Sequence, residues 1–384
     1  ENTAVGYNCG YSLSSAAANT LMGSGAGDAL TTGGYNVAAG IQALSTEDTG
    51  RKNVAIGGYA LNVQNSDTDN YNVAVGWEAG KEVTTGVENT LIGSLAGDAL
   101  IDADENTAMG KSALTADTYG SRSTAIGQGT LAAQNFTTAT QTYNTAVGFQ
   151  AGNAVTTGTH NTLIGGRAGD ALDVGNSNVA IGSSALSADT KGDRNVAIGV
   201  VALESQNFTT TTDSYNVAMG YASGTAITTG INNTLVGGLA GDALIDADHN
   251  VAVGQAALGL DTYGSKSTAI GHSALEAQNF TTATNSYNTA VGSDSGKAIT
   301  TGVENTIIGS NAGDALTDAD YNVVVGKGAL TTDRYGSRST AIGYEALLAQ
   351  NFGTATDTYN TAVGYAAGTA ITTGQQNTLI GGLA

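Results

Sequence analysis

An Asn-x-x-x-Gly pentapeptide returns 22 times along this chain of 384 residues, from Asn2 to Gly6 at the start to Asn377 to Gly381 at the end. A period that short leaves no room for a conventional globular domain. The anchors stand 17 residues apart, except that every fourth step is 21, or 19 the first time. Asn72, Asn144, Asn216, Asn288 and Asn360 are therefore 72 apart, so four units make one super-repeat. The boundaries are 2–71, 72–143, 144–215, 216–287 and 288–359, with a partial sixth at 360–384, and the whole of 1–384 reads as a single array.

Each unit, as in Asn144 to His160, alternates short β-branched runs with glycine corners, which is strand and turn chemistry. Helical hairpin repeats need about 30 residues or more, whereas a 17-residue unit fits two short strands and two tight turns. The expected fold is all-β, a parallel β-solenoid of about 22 coils. The 55 glycines disfavour helix, and the absence of proline suits a ladder that uses every backbone N–H. At ~4.8 Å per coil the rod would be roughly 100 Å long.

The closing glycine is present in all 22 pentapeptides, which predicts one shared backbone geometry with φ > 0. The opening residue is Asn in 19 and Ser in three, Ser123, Ser267 and Ser339. Stacked coils would let these amides bond to their equivalents above and below as an asparagine ladder. The third and fourth positions are both apolar: Ala146, Leu163, Ala180 and Ala197 against Val147, Ile164, Ile181 and Ile198. Successive side chains of a strand point to opposite faces, so one set lines the coil and the other meets another subunit. The bulkier fourth position is expected to be the inward one, with the third at the interface of a homotrimer.

Charge is one-sided, 33 acidic against 13 basic residues, a formal net of −20. Nucleic acid and anionic membranes are poor partners for that field. No apolar run reaches membrane-spanning length, so no membrane insertion is expected of this segment. Cys9 occupies a slot held elsewhere by Ala79, Ala151 and Ser223, as a small buried substitute. The array starts at a coil boundary and stops within a coil at Ala384, which reads as a stretch of a longer polypeptide or one whose ends stack on neighbours.

Asn360 to Gly368 (Asn-Thr-Ala-Val-Gly-Tyr-x-Ala-Gly) and Asn195 to Gly199 (Asn-Val-Ala-Ile-Gly) resemble the repeats of trimeric autotransporter adhesin heads and, more closely, the repeat arrays of phage tail fibres. The resemblance covers essentially the whole chain. It implies a trimeric parallel β-roll, extracellular on a virion or cell, with a role in attachment to a cell surface. Adhesin heads commonly use a shorter repeat, and neither a coiled-coil stalk nor a membrane anchor is matched here. A structural filament polymerising end to end is the alternative.

The four extra residues of every fourth coil form loops of shared sequence, centred on Phe136, Phe208, Phe280 and Phe352 and closed by Tyr143, Tyr215, Tyr287 and Tyr359. Four coils place them about 19 Å apart on one side of the rod. Aromatic pairs beside Asn, Gln and Thr suit stacking on sugars, so these eight residues are the candidate contacts for a surface glycan or receptor. Packing of the phenylalanines across a subunit interface, or over a coil end, is the structural alternative. The paired carboxylates Asp102 and Asp104, Asp246 and Asp248, Asp318 and Asp320 read as solvated acidic turns rather than calcium ligands, because two super-repeats lack the pair. The histidines, His160, His249 and His272, have no repeated partner, so no metal, cofactor or catalytic triad is suggested and no enzyme is expected.

Overall fold

The structure, a computed structural model, describes all 384 residues. They form two compact units, Glu1–Asp193 with Thr209–Thr211, and Arg194–Phe208 with Thr212–Ala384. Each unit carries eleven three-residue strands, one per pentapeptide, and neither contains a helix. The fold is a parallel β-solenoid, as the period requires. Thr145–Val147 pairs in parallel with Thr162–Ile164 on one side and Thr124–Ile126 on the other. The steps are 17 and 21 residues, yet the register is the same, so the extra residues bulge from the coil without shifting the ladder.

One strand per coil replaces the expected two. The rest of each coil is a run of bends in which three positions sit in the left-handed region, as at Gln150 (φ 54), Gly152 (φ 57) and His160 (φ 59). Residues held there cannot extend a β-ladder. Second strands of only two residues form beside the long loops, as in Gly120–Ser121 with Thr140–Gln141 and Gly264–Ser265 with Thr284–Asn285.

The glycine that closes the pentapeptide has the conformation expected and a second reason besides. Gly148 has φ +135, and a Cβ placed on it would stand 2.5 Å from the carbonyl oxygen of Gly165 in the next coil. Backbone thus stacks on backbone at this corner, and no other residue fits.

The assignment of faces is the reverse of the one expected from bulk. The third position is inside: Ala146, Leu163, Ala180 and Ala197 are wholly buried, whereas Ile164 is 37 % exposed. The core is narrow, and its volume is shared among three inward positions. Where the third is leucine, as Leu163, the ninth is glycine, Gly169, and the twelfth is aliphatic, Leu172. In two further coils of the super-repeat the third is alanine, as Ala252, the ninth is Leu258 and the twelfth is the polar Asp261. In the first coil the third is alanine and the ninth glycine, as Ala146 and Gly152, and leucines of the neighbouring coils, Leu131 and Leu163, take up the space. Each wholly buried leucine contributes about 1.5–3 kcal/mol. A solvent-side position carries no such volume constraint, which is why the fourth accommodates Val, Ile and Met alike.

The asparagine ladder forms, with a backbone donor in the leading part. The Asn161 N–H donates to Asn144 Oδ1 over 3.0 Å, and Asn144 Nδ2 donates to the Gly158 carbonyl over 2.8 Å. Each buried amide therefore ties its own coil shut and holds the next in register, satisfying groups that would otherwise be costly to bury.

Candidate functional site

The long loops are built over a buried polar cluster. In the coil before the insertion, Asp117 takes the twelfth core position, where its Oδ1 accepts the N–H groups of Gly120 at 3.0 Å and Phe136 at 3.2 Å. Gln134, at the same position of the next coil, donates through Nε2 to Asp117 Oδ2 (2.5 Å) and Ser123 Oγ (2.8 Å), and its Oε1 accepts from Asn144 Nδ2 at 2.9 Å. Asn53 holds the position of Ser123 in the first super-repeat, where its Oδ1 accepts from Gln64 Nε2 at 3.2 Å, so either residue serves as the acceptor. Asp261, Gln278, Ser267 and Asn288 repeat the arrangement, as do Asp333, Gln350, Ser339 and Asn360. Burial pushes the carboxyls of Asp117 and Asp261 up from their ordinary value, against the opposing effect of their hydrogen bonds.

Phe136, Phe208, Phe280 and Phe352 lie over these clusters and are only 5 to 8 % exposed. A Cβ on Gly264 would lie 2.8 Å from Phe280 Cδ2, so the ring rests on the backbone of a glycine. These phenylalanines are covers for the polar core of their own coil. At that exposure the rings offer little open face for stacking. Where the first super-repeat has Ser66 in place of the phenylalanine, Glu47 replaces the aspartate and its longer side chain fills toward Gly50, whose N–H it binds at 2.6 Å; burial raises its carboxyl as well.

The tyrosines of the same loops are separate from the phenylalanines and about half exposed: Tyr143 44 %, Tyr215 49 %, Tyr287 51 % and Tyr359 52 %. They belong to a column of left-handed residues at the end of each coil, in which a cation precedes each ring. Arg122 lies 5.7 Å from the Tyr143 centroid, Arg194 5.6 Å from Tyr215, Lys266 5.1 Å from Tyr287 and Arg338 5.9 Å from Tyr359. Lys52 and Tyr71, at 4.6 Å, complete the series. Arg122 also bonds Tyr143 Oη at 2.7 Å and pairs with Glu105, and His160 packs on the other side of Tyr143, with centroids 5.3 Å apart. The column is thus already stacked on itself. The spacing of the basic residues was a signal in the sequence, since Lys52, Arg122, Arg194, Lys266 and Arg338 all occupy one coil position.

The paired carboxylates hold coils together. Asp104 Oδ1 accepts the Val87 N–H at 2.8 Å, and Asp102 Oδ1 accepts the Thr85 hydroxyl at 2.7 Å. Asp248 and Asp320 do the same for Ile231 and Val303. In one super-repeat without the pair, Asn176 Oδ1 accepts the Thr159 N–H at 2.9 Å, and in the other the position is Gly34, so the bond is made by a neutral amide as well as by a carboxylate and is dispensable in one coil.

The outward strand face is uniform. In each unit eleven strands present two outward residues apiece, at the second and fourth pentapeptide positions, and every one is Thr, Val, Ile, Met or Ala. The chain has 46 charged residues, 33 + 13, and none of them is on this face. Met109, Ile164, Met219, Ile270 and Ile308 on it are 37 to 41 % exposed. Comparison with protein families, with curated proteins and with solved structures finds no match for this chain.

Proposed function

We propose that the chain is the rod of an extracellular attachment fibre, on a virion or a bacterial surface, assembled as a homotrimer through the uncharged strand face. The observation that carries this reading is the absence of any charge from the outward strand positions of an acidic protein. A solvated sheet face carries the polar residues of each strand's alternation, whereas this one is apolar or threonine throughout. At ~4.8 Å per strand and about 10 Å across, eleven strands offer roughly 500 Å². A second copy is the occupant with the same spacing of ridges, and closed symmetry lets identical faces turn inward. Net charge of −20 then repels whole fibres from one another.

Sedimentation tests the assembly. The wild-type chain of 38.1 kDa is expected near three times that mass, and Ile164→Lys with Val236→Lys should lower it while the coils stay folded. A wild-type chain sedimenting as a monomer at micromolar concentration would sink the reading.

A further inference from the structure

We infer a second repeated feature, a row of open aromatic platforms each paired with a half-buried carboxylate, that binds neutral polysaccharide. It lies one residue past the glycine corner, outside the threonine and aliphatic columns of the strand face. In the first coil of the super-repeats this position holds Tyr7, Trp77, Phe149, Tyr221 and Tyr365, with Ser293 the exception. Trp77 is 52 % exposed, Phe149 49 % and Tyr221 64 %. Three different rings at one exposed position share only a flat apolar face. Toward the preceding coil Trp77 meets Tyr59 edge-on and Tyr365 stacks on Tyr344, each at 5.4 Å, so the side kept clear is the one toward the next coil. The equivalent residue one coil on is Ser94, Gly166 or Gly238, and a Cβ built on Gly166 or Gly238 meets nothing within 4 Å. A ring with an open face beside a one-coil gap is the geometry that receives the apolar face of a hexose.

A carboxylate is placed to take the hydroxyls. The tenth position of that next coil is aspartate in all five complete super-repeats: Asp28, Asp98, Asp170, Asp242 and Asp314. At Tyr7 the two come together, since a groove of about 260 Å³ is lined by Tyr7, Ser24, Asp28 and Ile41. Asp28 Oδ1 is buried there without a hydrogen-bond partner. Asp98 Oδ1 accepts from Thr115, which leaves its second oxygen, whereas Asp314 is engaged at both oxygens, by Thr331 and by Asn311 Nδ2. Anionic polymers are disfavoured by these carboxylates and by the net charge of −20. Cationic ligands are disfavoured because a site offers at most a pair of rings, as Tyr7 with Tyr59, rather than a cage, and Lys111 stands at the same coil position two coils past Trp77. From Trp77 to Phe149 is four coils, ~19 Å, so an extended glycan would touch successive platforms at once. The inference takes the source of the glycan from the attachment reading, but its test is independent of assembly.

The experiment uses the full chain in affinity electrophoresis through gels containing dextran, mannan or a β-1,3-glucan, with alginate and a phosphocholine-bearing polymer as contrasts. At least one neutral polysaccharide should retard the wild-type chain. Trp77→Ala, Phe149→Ala and Tyr221→Ala together should weaken that retardation on the order of 100-fold, because linked sites act multivalently, and each alone far less. Gly166→Trp with Gly238→Trp, which fills the gaps and keeps the rings, should weaken it too. Sedimentation and melting of all variants should match the wild type. Retardation by no neutral polysaccharide, or only by alginate or phosphocholine, overturns the inference, as does a triple variant that binds like the wild type. A triple variant that loses mass in sedimentation assigns the rings to self-contact and overturns it as well. A monomeric wild type that is still retarded leaves it standing and removes only the trimer.

Discussion

Leu163 Cδ1 stands 2.7 Å from the point where a Cβ on Gly152 would be, so the glycine of one coil is the space taken by the leucine of the next. Leu131 Cδ2 closes on the same point from the other side at 2.9 Å. Leu163→Ala is therefore expected to cost about 2–5 kcal/mol. Gly152→Ala adds left-handed strain of roughly 1–2 kcal/mol to overpacking of about 1–3 kcal/mol. The double variant should be more stable than the two losses predict, by roughly 0.5–3 kcal/mol, since the shortened side chain gives back the room. Denaturant melts of the four proteins measure the coupling, and strictly additive losses would disprove the shared space.

The inverted strand faces separate two further variants. Leu163→Asp places a carboxylate in the core and should unfold neighbouring coils, costing several kcal/mol. Ile164→Asp, one residue on, should leave the coils folded and disturb only assembly. Circular dichroism and sedimentation on the pair settle which face is inside.

The solenoid was legible because the 17-residue period and the glycine at Gly148 and its equivalents each demand one backbone geometry. The direction of the strand was not, because alternation says only that Leu163 and Ile164 face opposite ways. The missing signal was compensation: leucine at the third position accompanies glycine at the ninth, Leu163 with Gly169, and leucine at the ninth accompanies alanine at the third, Ala180 with Leu186, while a coil with neither, Ala146 with Gly152, lies between coils that have one. No such exchange links Ile164 to any other position. Phe136 and Tyr143 looked alike as loop aromatics, and only the aspartate packed beneath the loop told them apart. The left-handed residues at Gln150 and His160 carry no glycine or asparagine to mark them, so the bends that replace a second strand were hidden.

The phenylalanine covers give a stability prediction opposite in kind to that for the tyrosines. Phe136→Ala opens the cluster of Asp117 and Gln134 to water and removes a ring that is 8 % exposed, which should cost about 3–5 kcal/mol. Tyr143→Ala removes a half-exposed ring and a surface cation contact, about 0.5–1 kcal/mol. Equal melting temperatures for the two variants would mean that the ring does not seal the loop.

The buried carboxyls make stability depend on pH in an unusual direction. Burial raises Asp117, Asp261 and Glu47 above their ordinary values of 3.8, 3.8 and 4.5, so the folded chain holds these protons more tightly than the unfolded chain. Stability is then greatest below the ordinary values and falls as pH rises through the window between them and the raised folded values. Most proteins held by paired surface carboxylates lose stability on acidification; this one should melt higher at pH 4 than at pH 7. Relief of repulsion among 33 acidic residues works in the same direction, so the test needs a variant. Asp117→Asn with Asp261→Asn keeps an oxygen for the Gly120 and Gly264 N–H groups but removes two protons from the account. It should flatten the dependence of melting temperature on pH, whatever its melting temperature at neutral pH. A double variant with the full wild-type slope would place the acid response at the surface and not in the clusters beneath the loops.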